Sequence, residues 1–198
     1  MSASEARRSP RSSPAPSNTT QSPAGPQNGA QAVTGFRLLA LDLASETGWA
    51  VITHNQELIA SGRWALRNTE TPLPTALDAL DQRMSELHEA HDIQVIAVEA
   101  ISPTMAKHTA TARILFGLSI QAERWAFEHN VSFLQPVSPA RIKKHAANLL
   151  GHARAVKGKE QAIAAAEGLL GRPAQSSDEA DAVVLAHWAS LHAEEIRP

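Results

Sequence analysis

With 198 residues, 18 Lys and Arg against 20 Asp and Glu, and a net charge of −2, the chain is long enough for one well-cored domain with a tail, and too weakly basic for a simple nucleic-acid coat protein. It has no cysteine and no tyrosine, which excludes disulfides, a cysteine-based zinc site and a tyrosine nucleophile. No apolar run approaches the roughly 20 residues of a membrane span, and the early arginines precede no apolar segment, so the cytoplasm is the expected location.

Residues 1–34 are rich in Ser, Pro, Ala, Gln and Asn and lack an apolar period. They are expected to be a disordered tail, with the ordered domain over 35–198. Leu38, Leu39, Ala40 and Leu41 read as a strand buried on both faces. That strand, over about 37–43, ends on Asp42, and a carboxylate in such a run is costly unless something compensates it. A polar turn follows, with Gly48 read as supplying an unusual backbone angle. A second strand is expected over about 48–54 and a third over 57–65, with a bulge at Ser61-Gly62. Together they form an antiparallel meander.

Residues 73–91 have apolar positions at helical spacing, with Pro74 in the first turn. The run 93–100 is β-rich and apolar and ends on Glu99. A strand after a helix suggests a crossover, parallel to the first strand. It would bring Asp42 and Glu99 close. A long helix is expected over 105–129, apolar on a wide side, either as core or as a dimer contact. A short strand follows over 131–136. Ser138 and Pro139 then read as the cap and first turn of a helix over 139–150. Trp49, Trp64, Trp125 and Trp188 read as core.

Positive charge gathers at Arg141, Lys143, Lys144, His145, His152, Arg154, Lys157 and Lys159. A polyanion-binding edge and a solvated helix face both fit this pattern. Residues 159–170 are helical. The last helix opens with Ser176 or Ser177 as cap, followed by Asp178 and Asp181 on one face. Glu179 points elsewhere. Acids in a first helical turn are ordinary in themselves, because the helix dipole favours them. Here they join two strand-end acids, and hard cations are what would neutralise four together. All-oxygen ligation suits Mg²⁺ or Mn²⁺. Two such ions about 4 Å apart support in-line attack on a phosphodiester, with Lys143 or Lys144 near the scissile phosphate.

The order of these features resembles the RuvC-type Holliday junction resolvases of the RNase H-like nuclease superfamily. The resemblance spans about 37–190 and is carried by VIAVEAISPTMAK, PARIKKHAANLLGHARAVKGKEQAI and SSDEADAVVLAHWA. It implies an α/β RNase H-like fold, with a mixed sheet of meander plus parallel strands flanked by helices. It places the catalytic, metal-binding acids on Asp42, Glu99, Asp178 and Asp181. The active-region lysines fall on Lys143 (alternative register, Lys144) and Lys159, with Arg141, Lys144 and Lys157 as further DNA contacts. It implies a homodimer that nicks four-way DNA junctions with Mg²⁺ or Mn²⁺, two ions per site. Other branched DNA, RNA–DNA hybrids and junction binding without cutting are the alternatives. The chain departs from bacterial members in reading DLAS rather than DPG from Asp42, and in carrying Ile101 and Ser102 where an aromatic often follows the glutamate.

Overall fold

The computed structural model describes residues 35–102, 109–151, 158–193 and 195. The expected tail over 1–34 lies outside them, as do His152, Arg154 and Lys157. In chain order the described residues form β1 (Arg37–Asp42), β2 (Glu46–Thr53), β3 (Leu58–Ala65), α1 (Leu73–His91), β4 (Val95–Val98), α2 (Thr109–Glu128), β5 (Ser132–Phe133), α3 (Pro139–Leu150), α4 (Lys159–Leu170) and α5 (Ser177–His192). The sheet order is β3-β2-β1-β4-β5. β1, β2 and β3 form the antiparallel meander. β4 runs parallel to β1, and β5 parallel to β4.

The two-residue period of the strands sorts their side chains onto two faces. Leu39, Leu41, Val51, Ile96 and Val98 pack with Leu80 and Met84 of α1 and Leu118 and Trp125 of α2. Leu38, Ala40, Ile52, Val95 and Ala97 pack on the other side, with Val183, Leu185 and Trp188 of α5. α5 lies between the sheet and the pair α3 and α4. A helix in that position must be apolar all round, and residues 182–186 are all buried.

The structure departs from the sequence reading in places. The strand expected over 131–136 shortens to two residues, because Pro136 cannot donate to the ladder; Val137 instead makes an isolated parallel bridge with Glu99. The register shift lies between Val51 and Ile52, not at Ser61-Gly62. Gly62 is where a Cβ would come within 3.0 Å of the Trp49 ring. Trp125 and Trp188 are core, but Trp49 and Trp64 are half-buried, stacked on each other with centroids 5.5 Å apart. Only one side of α2 is core: Phe116, Ile120 and Phe127 are 49%, 64% and 85% exposed. Among the described residues, no helix is long and apolar enough to cross a membrane.

Candidate active site

The parallel register of β1 and β4 pairs Leu41 with Val98. The next residues, Asp42 and Glu99, therefore leave adjacent strand ends side by side. By the strand period both continue the α5-facing side, Asp42 after Ala40 and Glu99 after Ala97. Thr47 fixes the turn after Asp42: its buried hydroxyl donates to the Ala44 carbonyl at 2.7 Å.

The third element arrives through Gly48, which pairs with Asp42 across β1 and β2. Gly48 is not among the residues of positive φ, so the expected role in an unusual turn angle is corrected. Its lack of a side chain lets the first turn of α5 lie against β2. A Cβ there would overlap the Asp178 carbonyl and stand 2.9 Å from the Glu179 nitrogen. Ser176 caps the helix, its side chain accepting from the Glu179 N–H at 3.1 Å. Ser138 occupies the cap position of α3 but makes no side-chain cap bond.

Asp42, Glu99, Asp178 and Asp181 line one cavity of about 890 Å³ together with Lys143 of α3 and Lys159 of α4. The bridge from Glu99 to Val137 holds the start of α3 beside β4, and the Ala100 N–H donates to the Val137 carbonyl at 2.8 Å. Arg141 and Lys144 are exposed and do not line the cavity. Of the two registers open in the sequence, Lys143 is the lysine that faces the acids. His145, grouped by sequence with the basic stretch, has its Nε2 2.9 Å from His187 Nδ1. Leu43, Ile101, Ile114 and Leu115 contribute an apolar wall.

Crowding leaves an electrostatic signature. Burial pushes the Asp42 carboxyl up to about 8, with Asp181, Glu99 and Asp178 adding to the rise and Lys159 opposing it. Burial, then Asp181, raises Glu99 to about 7 against the pull of Lys143. Burial and Asp178 raise Asp181, while Lys159 and Lys143 lower it. All three shifts are led by burial, with repulsion from neighbouring acids adding to it.

No protein-family model matches the chain, and no curated protein does. Solved structures do. Thermus thermophilus RuvC in complex with a Holliday junction substrate superposes with a TM-score of 0.66 at 17% identity, covering 82% of this chain and 99% of that one. A second T. thermophilus RuvC structure gives 0.61 at 18%, with the same coverage. The yeast mitochondrial Holliday junction resolvase Ydc2 gives 0.55 at 19%, covering 80% of each chain. The chain has the RuvC-type, RNase H-like fold.

On this RuvC-type fold the donor set is all carboxylate oxygen, which fits hard divalent cations. Among the described residues no three His, Cys, Asp or Glu side chains are gathered into a ready-made ligand cage; the acids share the cavity instead. Sequence reasoning passed over Glu179. It is fully buried, and its partners Ser61, Arg172 and Gln175 stand outside the cavity. Burial alone would raise its carboxyl, but hydrogen bonds from Arg172, Gln175 and Ser61 outweigh this and hold it below the usual range. The available signal was Arg172, seven residues upstream beside a turn.

Proposed function

We propose that this chain is a metal-dependent, structure-selective DNA endonuclease that resolves four-way junctions by paired nicks. The observation that carries the reading is the meeting of four carboxylates and two lysines in one cavity, on a fold it shares with solved junction resolvases. Asp42, Glu99, Asp178 and Asp181 would hold Mg²⁺ or Mn²⁺, two ions per site. The chemistry such ions supply when bound is activation of water and stabilisation of charge on the leaving oxygen. The chain's own part is to fix the acids on two strand ends and one helix turn, and to offer Lys143 and Lys159 to the phosphate. Arg141, Lys144 and Lys157 would hold flanking DNA backbone, a contribution that weakens with salt.

The test is a labelled four-way junction, its linear duplex and an RNA–DNA hybrid, each with Mg²⁺, Mn²⁺ or EDTA. Symmetric nicks on the junction alone, lost in EDTA, are expected. Lys143→Met should lower the cleavage rate by about 10²-fold, and Lys144→Met by no more than about threefold in low salt. Junction binding with no cut in either metal would replace the enzyme with a binding module. Cutting of the hybrid instead would keep the site and change the substrate.

The proposed homodimer draws support from α2. Phe116, Ile120 and Phe127 recur at helical spacing on one side of it and are exposed, the kind of apolar surface that marks association. Sedimentation should give about twice the 21.2 kDa chain mass for the wild type, and a monomer for Ile120→Glu. A wild type that sediments as a monomer at micromolar concentration would remove the dimer from the proposal.

A further inference from the structure

One carboxylate ties together three separate pieces of chain. Glu179 Oε1 accepts from Ser61 Oγ and from Arg172 Nη2, each at 2.7 Å. Its Oε2 accepts from the Gln175 N–H at 2.5 Å. Arg172 Nη2 also reaches Ser61 Oγ at 3.1 Å, and Nη1 donates to the Pro173 carbonyl at 2.9 Å. The first turn of α5 is thereby fastened to β3 and to the turn that follows α4.

We infer that Glu179, held by Arg172 and Ser61, is the positioning element that sets Asp178 and Asp181 against Asp42 for cation binding. The inference rests on the nuclease reading above. Glu179 lies between the two acids in sequence and on the side of the turn away from the cavity. Helical backbone is stiff over three residues, so fixing residue 179 fixes both neighbours. The fastening opposes a definite force: before a cation arrives, Asp178 and Asp181 are repelled by Asp42, and Asp181 by Glu99 as well. First turns are also where helices hold their own backbone least, since the initial N–H groups have no intrahelical partner.

Stability alone is a poor reason for this arrangement. A well-packed apolar pair commonly stabilises as much as a buried ion pair. A charge-assisted, multiply bonded carboxylate does supply directional placement. Groups that orient metal-ligating side chains typically change metal affinity when removed.

The test uses the full chain as wild type, Ser61→Ala, Glu179→Gln and Arg172→Lys. Four quantities are read: metal-free melting temperature, Mn²⁺ affinity by calorimetry, hydrogen exchange at the amides of residues 180–183, and junction cleavage. Ser61 lies outside the cavity, and Ser61→Ala removes only its bond to Glu179 and the longer one from Arg172, so it keeps the fold even where Glu179→Gln does not. It should weaken Mn²⁺ binding by about tenfold and speed exchange in the first turn of α5. Arg172→Lys should fall between it and the wild type. Lowered melting temperatures with wild-type Mn²⁺ affinity and exchange would reduce the network to a structural role and overturn the inference. Should the wild type itself neither bind Mn²⁺ nor cut, the nuclease reading fails separately. Exchange then decides whether the network holds the helix start: faster in the variants supports that placement, unchanged removes it.

Discussion

Replacing Asp42 with Asn is expected to lower junction cleavage by on the order of 10³-fold, the upper end of the cost of one preorganised electrostatic group, while making the metal-free protein more heat-stable at pH 8. The first half follows from position. Asp42 is the residue on which the other three acids act, and burial has pushed its carboxyl up to about 8. The second half follows from linkage. An acid whose folded value lies above its unfolded value binds more protons when folded, so stability falls as pH rises between the two. For Asp42 that window runs from about 4 to about 8. Below it both states are protonated, and Asp and Asn differ little. Above it the folded wild type carries an ionised, crowded carboxylate that Asn lacks. The melting temperature of Asp42→Asn minus that of wild type, both in EDTA, should therefore grow from near zero at pH 4 to on the order of 10 °C at pH 8, given about 1.4 kcal/mol per pH unit of the window and roughly 2–4 °C per kcal/mol at this chain length. Mn²⁺ should reverse the order at pH 8, since it binds the ionised acids of the wild type and releases their protons. A difference that stays flat with pH would show that burial and the neighbouring acids do not hold the Asp42 carboxyl above its usual range.

The features legible in the sequence were those written in local pattern. The meander, the crossover strand and the helices each announce themselves by the two- or 3.6-residue period, and their described spans lie close to the expected ones. Asp42 and Glu99 could be found because each interrupts an apolar strand. Features set by contacts between distant segments were not legible. Ser61 and Glu179 are 118 residues apart, and nothing local marks them as partners, so Glu179 looked like one more first-turn acid. The exposed Phe116 and Ile120 look identical in sequence to core positions of the same helix. The lysine register depended on how α3 is rotated, which the Glu99–Val137 bridge and the buried Ile142 and Ala146 determine. Gly48 was noticed for the wrong property, because a glycine's sequence context does not distinguish a turn angle from a close approach.

That close approach makes Gly48→Ala the more damaging of two otherwise mild substitutions in this region. A single methyl is added at a residue whose backbone any amino acid can adopt, so conformational strain is not the issue. The new Cβ would occupy the position of the Asp178 carbonyl. That carbonyl belongs to helix backbone and cannot rotate aside as a side chain would. Either β2 or the start of α5 must shift, and α5 is the central buried helix of its face. Overpacking of this kind costs about 1–3 kcal/mol and occasionally more, and contact with backbone places Gly48 at the upper end. The melting temperature should fall by roughly 6–10 °C at this chain length. The protein that remains folded should bind Mn²⁺ more weakly, because the displaced residue is Asp178, opposite Asp42. Gly62→Ala is the control. Its Cβ would meet the Trp49 ring at 3.0 Å, and a half-buried ring can shift to make room, so the loss should be smaller and Mn²⁺ affinity unchanged. Equal losses at the two glycines would mean that α5 is not seated on Gly48, and the route by which Asp178 reaches Asp42 would have to be drawn differently.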